Sequence, residues 1–157
     1  DAWPTFIITL IFLSSFIGAC AGSAGGGIKV IRLTIALKSI KKQLLKVIHP
    51  KAQISIKVNE KKVDDITIET ILSFIILYIF LFFISSLLIM MSGHDLLTAF
   101  SSTAACINNL GPAMGEAYGN YSQLNNFSKL LLSLMMIIGR LEIYTFIILI
   151  TKYFWKF

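Results

Sequence analysis

Charged side chains are scarce in this sequence. Asp, Glu, Lys and Arg make up 14% of its 157 residues, whereas soluble globular domains contain about 25%. Residues 70–93 contain none of them. Hydrophobic residues account for 56% of the chain, and its mean hydropathy is +0.80. The composition therefore excludes an ordinary soluble domain and indicates an integral membrane protein.

Cysteine is scarce as well, and its placement excludes two further kinds of site. Cys20 and Cys106 lie in separate apolar stretches, and neither belongs to a CxxC pair or has a neighbouring histidine. This spacing favours neither a disulfide framework nor a zinc site. The chain also lacks any constellation of residues typical of catalysis, so we expect no enzyme activity and no bound cofactor.

The basic residues that are present are concentrated in one segment. Ten of the 14 Lys and Arg residues lie between residues 29 and 62. Nucleic-acid binding is not favoured, because no aromatic residue is interleaved with these charges. A basic loop that joins apolar runs belongs on the cytoplasmic side. Within it, Ile54, Ile56 and Val58 alternate with polar residues and predict a short hairpin that ends near Asp65.

A stretch of mostly small residues, 95–112, lies between two long apolar runs and is too short to cross a bilayer. Asp95 is placed to accept the N–H groups of a first helical turn. Gly111 permits backbone conformations closed to other residues, and Pro112 prevents a helix from continuing. The pattern predicts a short pore helix over residues 95–106, followed by irregular backbone over residues 107–112.

Irregular backbone survives at membrane depth only where it is buried in protein or lines an aqueous cavity. Its carbonyl oxygens can then replace the hydration shell of a cation. The candidate ion-filter residues are Ile107, Asn108, Asn109, Leu110 and Gly111. An extracellular loop that only dips toward the membrane stays an alternative interpretation.

Glycine interrupts the first apolar run, since five of the ten residues over 18–27 are glycine. Gly22 and Gly27 have the first spacing of a phosphate-binding P-loop, but Ile28 stands where a Lys is needed and no Ser or Thr follows. The residues that would bind phosphate and magnesium are therefore missing, and the P-loop hypothesis is rejected. The stretch predicts a discontinuous membrane helix, with a flexible kink or close helix packing through small residues as alternatives.

Three apolar runs predict membrane helices, over residues 3–21, 66–92 and 126–152. Between the first two runs, apolar and basic residues interleave over residues 28–48, which predicts an amphipathic helix that leaves the membrane.

The placement of charge predicts the orientation of these helices. Residues 29–65 and the C-terminus are expected on the cytoplasmic side and residues 93–126 on the extracytoplasmic side. The formal charges of the outer segment come from Asp95 and Glu116, which would make its mouth mildly acidic and attractive to cations. His94 is expected to be a solvated loop residue.

Two charged residues, Arg140 and Glu142, lie inside the last apolar run. Lys129 marks its outer end, and eleven residues of helix rise about 16 Å, so both charges are expected near mid-membrane. Two residues apart on a helix means about 200° around the axis, so each needs its own partner. Charges at such depth usually face a bundle interior or an aqueous path. Snorkelling of Arg140 to a membrane surface is the alternative.

Three motifs in this order resemble one family. Residues 108–112, NNLGP, resemble the fourth-repeat filter of the TrkH/TrkG potassium uptake proteins, whose superfamily includes the KtrB and plant HKT transporters. Residues 22–32, GSAGGGIKVIR, and residues 139–145, GRLEIYT, are similar to two further motifs of that family. The resemblance covers essentially the whole chain but only the C-terminal third of a family member.

The resemblance implies an all-α membrane fold in which four helix, pore-helix, helix repeats surround one pore. Residues 1–48 would be the second helix of repeat three, with an intramembrane loop over residues 18–27. Residues 49–65 would be a cytoplasmic linker, and residues 66–157 would be repeat four. Since the sequence begins with Asp1 rather than Met, we expect it to be a segment of a longer protein.

The resemblance also implies functional roles. The transported ion would be potassium, and the gating residues would be Gly22, Ser23, Ala24, Gly25, Gly26, Gly27 and Arg140. The loop reads AGGG over residues 24–27, a small departure from the family that leaves the strength of gating open. Implied partners are the other three repeats of the same polypeptide, a second copy in a homodimer, the lipid of the inner membrane, and a TrkA-like cytoplasmic nucleotide-binding subunit at the basic loop.

Two other classes of protein stay open at this point. A secondary transporter of another fold also uses broken helices and midplane sites, but it would require a repeat of this pattern upstream. A membrane scaffold without transport activity would need neither Gly111 nor Arg140.

Overall fold

The computed structural model describes residues 5–18, 26–50, 55–58 and 61–151. Within these residues the chain is largely helical, as the sequence predicts for an all-α membrane protein. Its elements are α1 (Thr5–Ser15), β1 (Ile17–Gly18), β2 (Ile28–Lys29), α2 (Val30–Ile48), β3 (Lys57–Val58), β4 (Lys61–Lys62), α3 (Asp65–Met91), α4 (Leu96–Ile107), a 3₁₀ turn (Gly115–Ala117), α5 (Asn126–Leu141) and α6 (Ile143–Ile150).

Helix α3 is the element with the length and composition of a membrane span among the helices that the structure describes. Its 27 residues rise about 40 Å, which exceeds a hydrocarbon core of about 30 Å. Phe74, Tyr78 and Phe82 form a buried face at helical spacing, while Ile76 and Phe80 are exposed. Such an apolar exposed face suits a helix whose other neighbours are lipid or protein.

Helix α4 is the most enclosed element of the described chain. It packs between α3 and α5, and the run from Ser101 to Ile107 is buried at every position. Small side chains allow the helix backbones to approach closely. Its hydroxyl groups find partners in the protein: Ser102 and Thr103 donate to the Ala99 carbonyl within the helix, at 3.2 and 2.8 Å, and Ser101 donates to the Met114 carbonyl at 3.2 Å. The polar residues of α4 therefore need no solvent.

The start of α4 differs in one detail from the sequence prediction. Asp95 does occupy the N-cap position, but its carboxylate makes no capping hydrogen bond. The Asp95 carbonyl instead accepts the first intrahelical bond, from the Ala99 amide at 2.9 Å. Asp95 thus contributes by its extended backbone and by its negative charge near the positive end of the helix dipole.

The last apolar run forms two helices, where the sequence predicts a single helix over residues 126–152. Helix α5 ends at Leu141, Glu142 adopts a left-handed φ of 61°, and α6 begins at Ile143. The prediction was wrong because helical periodicity alone contains no signal for this break. The turn places the Ile143 side chain in the core, where it is 2% exposed.

Two short strand pairs complete the described structure. Strands β3 and β4 are antiparallel, with Lys57 opposite Lys62, within the segment where the sequence predicts a hairpin. Strands β1 and β2 are parallel, with Ile17 opposite Ile28, and the sequence gives no indication of this pair. The parallel pair brings together the two sides of the glycine-rich stretch.

The close approach of α4 and α5 leads to a stability prediction. A methyl group at Gly139 would overlap the Ile107 carbonyl oxygen and lie 2.9 Å from Asn109 Nδ2. We expect Gly139→Ala to lower stability by about 1–3 kcal/mol, which exceeds the gain in helix propensity of about 0.5–1 kcal/mol. The measurement is the thermal unfolding midpoint of the complete gene product in detergent.

The matched control for Gly139→Ala is Ser133→Ala, an exposed position on the same helix. The control is expected to leave the midpoint nearly unchanged, because exposed substitutions usually change stability by less than about 0.5 kcal/mol. Equal midpoints for the two variants would contradict the tight contact between α4 and α5.

Candidate functional site

The chain reverses direction where α4 ends, in the segment 108–111. The amides of Asn108, Asn109 and Leu110 donate back to carbonyls of the last turn of α4, at 3.1, 3.1 and 2.9 Å. Asn109 and Gly111 have left-handed φ angles of 56° and 93°. Because these amides already donate hydrogen bonds to the helix end, the backbone polar atoms of the segment that stay available to a ligand are mainly its carbonyl oxygens.

Two glycines contact this helix end from different elements. A Cβ at Gly26 would lie 2.8 Å from the Ile107 oxygen and 2.9 Å from the Asn108 oxygen, and a Cβ at Gly139 would also overlap the Ile107 oxygen. Side chains at either position would therefore force the backbones apart. The geometry places the described end of the glycine-rich stretch directly against the predicted filter residues.

The side chain of Asn108 joins three elements. Its Oδ1 accepts a hydrogen bond from the Tyr78 hydroxyl of α3 at 2.7 Å. Gly27, with φ of 82°, contacts the same oxygen so closely that a Cβ there would lie 2.5 Å from it. The Asn108 Nδ2 atom is buried and has no hydrogen-bond acceptor among the described residues. Sequence reasoning identified Asn108 for its carbonyl and overlooked this side chain.

At the other end of the segment, Tyr121 contacts Gly111. The Tyr121 hydroxyl donates to the Gly111 carbonyl at 2.7 Å. Burial raises the pKa of this phenol, so it stays protonated and able to donate at neutral pH. The Asn109 side chain also bonds across, from Nδ2 to the Met136 carbonyl of α5 at 3.3 Å. The segment is therefore held by hydrogen bonds from its surroundings on several sides.

A charged cluster lies beside the glycine-rich stretch. Glu142 accepts from Lys29 Nζ at 2.7 Å and from Arg32 Nη2 at 2.8 Å. The Arg32 guanidinium also lies over the Phe74 ring, 4.2 Å from its centroid. This cluster and Ile107 line one small cavity beneath the end of α4. The sequence did indicate that Glu142 needs a partner, and Lys29, the last residue of β2, and Arg32, in the first turn of α2, both supply one.

The structure describes only part of the predicted gate. Gly26 and Gly27 lie against the end of α4, whereas Gly22, Ser23, Ala24 and Gly25 lie outside the described residues. The Arg140 side chain is exposed on the last turn of α5. The predicted separation of about 200° around one helix axis does not apply to Arg140 and Glu142, because α5 ends at Leu141, between them.

His94 differs from the expectation of a solvated loop residue. Its side chain is only 7% exposed, and its Nδ1 lies 2.7 Å from a carboxylate oxygen of Glu116. The amide of Asn125 donates to Nε2 at 3.4 Å. Glu116 is therefore hydrogen-bonded to His94, and His94 is held between Glu116 and Asn125 rather than being solvated.

Comparisons with known proteins find similar sequences that belong to one family. The family model TrkH, described as a cation transport protein, matches residues 1–155. The chain is 40% identical over 156 residues to the Trk system potassium uptake protein TrkH of Halomonas elongata, covering 99% of this chain and 32% of that protein. It is 41% identical over 155 residues to the Trk system potassium uptake protein TrkG of Escherichia coli, covering 99% of this chain and 32% of that protein.

A solved structure is similar as well. The crystal structure of the potassium transporter TrkH from Vibrio parahaemolyticus matches with a TM-score of 0.88 and 40% sequence identity, over 98% of this chain and 33% of that one. The chain thus spans about a third of the length of these relatives. Because the family model matches nearly the whole sequence, the chain belongs to the TrkH family of cation transport proteins.

Proposed function

We propose that this chain is a segment of a potassium-translocating membrane protein and contributes one selectivity-filter segment and a gating loop. The observation that carries the proposal is the segment 108–111, in which left-handed backbone follows a buried short helix. The relatives are named as potassium uptake proteins or as a potassium transporter, and the proposal extends that ion to this chain.

The filter would coordinate potassium through backbone oxygens. Helix α4 would serve as a re-entrant pore helix whose C-terminal end carries partial negative charge toward a cation. The proposed filter residues are Ile107, Asn108, Asn109, Leu110 and Gly111. The Gly111 carbonyl already accepts a hydrogen bond from the Tyr121 hydroxyl, so we assign the ion contacts to the carbonyl oxygens of the four preceding residues. The role of Gly111 is then to adopt the backbone conformation that ends the filter.

A complete filter requires more chain than this segment provides. One filter segment surrounds only part of an ion, so the other three repeats would come from the remainder of the gene product. By resemblance to the family, the complete protein would form a homodimer in the inner membrane. A TrkA-like nucleotide-binding subunit would regulate it from the cytoplasm, at the basic loop.

The gate would consist of the glycine-rich loop over residues 22–27 together with Arg140. Support comes from Gly26 and Gly27, which lie against Ile107 and Asn108; in this position the loop would block the cytoplasmic side of the proposed filter. Lys29 and Arg32 follow the loop and are tied to Glu142. Glycine suits such a loop, because it changes conformation at low steric cost.

The first prediction tests the filter. The φ of 93° at Gly111 disfavours any side chain, although a Cβ there would meet no atom within 4 Å. We expect Gly111→Ser, in the complete gene product, to lower discrimination of rubidium over sodium by about fivefold, a cost of about 1 kcal/mol, with little loss of abundance. The measurement is rubidium uptake in the presence of competing sodium.

Gly93→Ser is the matched control for Gly111→Ser. Gly93 has a similar φ of 97° and equally open surroundings, but it lies in the turn that follows α3. Discrimination should be unchanged in this control. If Gly111→Ser also leaves discrimination unchanged, Gly111 is not part of a filter.

The second prediction tests the orientation of the chain. In a cysteine-free complete protein, a reporter cysteine at Tyr118, which is 82% exposed, should react with an impermeant thiol reagent added outside the cell. A reporter cysteine at Lys57, which is also exposed, should resist the reagent until the membrane is permeabilised. The reverse pattern of labelling would overturn the proposed topology.

The third prediction tests the gate. A methyl at Gly26 would collide with the backbone of Ile107 and Asn108, so Gly26→Ala should displace the loop from beneath the filter. We expect Gly26→Ala and Arg140→Ala each to raise rubidium leak severalfold in cells that lack the regulatory subunit. Their combination should raise the leak by less than the product of the two effects, because both act on one barrier.

Gly119→Ala serves as the control for the gate, since a Cβ at Gly119 meets no atom within 4 Å and the residue lies in the outer loop. It is expected to leave the leak unchanged. Well-expressed single variants without any increase in leak would show that the loop and Arg140 do not close the pore.

A further inference from the structure

Both ends of the segment 108–111 accept a hydrogen bond from a tyrosine hydroxyl. Tyr78 donates to the Asn108 side chain and Tyr121 to the Gly111 carbonyl, each at 2.7 Å. Tyr78 belongs to α3 and Tyr121 to the loop before α5. We propose that these two tyrosines are positioning residues that set ion selectivity by fixing the two ends of the filter. This inference rests on the filter assignment made above.

The Tyr78 hydroxyl has little freedom to move. Its residue is 2% exposed, and its ring packs against Phe74 and Phe16, with centroid distances of 6.4 and 6.5 Å. A ring fixed in this way points its hydroxyl in one direction. The bond therefore ties the Asn108 side chain to the rigid membrane-spanning helix α3.

Loss of this hydroxyl would disturb Asn108 more than it would disturb Tyr78. Asn108 Nδ2 already lacks an acceptor among the described residues, so Tyr78→Phe would leave the buried Oδ1 without its donor too. A buried polar atom without a partner is destabilising, because it has lost its hydrogen bonds to water without a replacement. The Asn108 side chain is then expected to rotate toward another partner. Because Gly26 and Gly27 contact this residue, the filter backbone and the loop would shift with it.

At Gly111 the situation differs, because the space beside its α-carbon is open. A Cβ at this glycine would meet no atom within 4 Å, and its φ is 93°. Glycine populates several backbone regions with similar ease. The Tyr121 hydroxyl is thus the described contact that selects one orientation of the Gly111 carbonyl. Without it, the peptide between Gly111 and Pro112 could turn. The preceding peptide, whose Gly111 amide donates to the Ala105 carbonyl at only 3.5 Å, could then shift as well and move the Leu110 oxygen of the filter.

Selectivity is more sensitive to such shifts than folding is. Binding sites require their groups to lie within about 0.5 Å of the productive geometry, and carbonyl oxygens that coordinate an ion follow the same constraint. Removal of one hydroxyl retains the aromatic ring and its apolar packing. The two tyrosines are therefore expected to influence the choice of ion while the fold is retained.

The experiment compares three single tyrosine-to-phenylalanine variants of the complete gene product. Tyr78→Phe and Tyr121→Phe each remove one contact with the filter. Tyr144→Phe is the matched control, since the Tyr144 hydroxyl donates to the Thr70 carbonyl at 3.0 Å between α6 and α3. All three lose a hydroxyl that bonds to an oxygen, but the control bond lies away from the filter segment.

The measured quantities are rubidium uptake under sodium competition, abundance in the membrane and the thermal unfolding midpoint in detergent. We expect Tyr78→Phe and Tyr121→Phe each to lower discrimination of rubidium over sodium by about fivefold. Tyr144→Phe should leave discrimination unchanged, even if it lowers the midpoint. A change in ion choice is a readout that a purely structural role would not produce.

Gly111→Ser, measured in parallel, separates the two proposals. If Gly111→Ser lowers discrimination and neither filter-tyrosine variant does, the positioning role is wrong and the filter assignment stands. If none of these variants changes discrimination, both are wrong. An equal loss in Tyr144→Phe would also overturn the positioning role. If buried Tyr78→Phe does not accumulate, half-exposed Tyr121→Phe alone decides, and unchanged discrimination in it counts against the proposal.

Discussion

The contact on which the described structure depends is the approach of two glycines to the end of α4. Gly26 and Gly139 contact the Ile107 carbonyl from different elements, at distances that leave no room for a Cβ. The glycine-rich stretch, α4 and α5 therefore meet backbone to backbone. Few side chains lie between them whose rotamers could change their relative positions. A site that must place backbone oxygens accurately benefits from such a contact, because side chains between the elements would allow slippage.

This contact also accounts for the charges below it. The C-terminal end of a helix carries partial negative charge, which favours nearby cations. Lys29 and Arg32 line the same small cavity as Ile107, and Glu142 neutralises one of their two charges. Glu142 reaches them from a left-handed backbone conformation, which costs about 1–3 kcal/mol for a residue other than glycine. The two ion pairs offer an explanation for why the break in the last helix persists.

Local chemistry explains why much of this arrangement could be predicted from the sequence. The bounds of α3 and α4 follow from an uncharged apolar run and from small residues that end at Asn108, and Gly111 has the left-handed φ that its position suggested. The break at Glu142 could not be predicted, because its partners Lys29 and Arg32 are distant in sequence. The parallel strand pair could not be predicted either, because it joins two-residue strands across the glycine-rich stretch. The same holds for Tyr78 and Tyr121, whose hydroxyls carry no signal in the sequence and reach the segment 108–111 only in the folded chain.

The parallel strand pair explains how the charged cluster comes to lie beside the end of α4. It places Ile28 opposite Ile17, so Lys29, the last residue of β2, and Arg32, in the first turn of α2, follow directly after the glycine-rich stretch. In a membrane, charged side chains are costly unless they are paired or face water. The bonds of Lys29 and Arg32 to Glu142 meet the first condition, and a cation path beneath the proposed filter would meet the second.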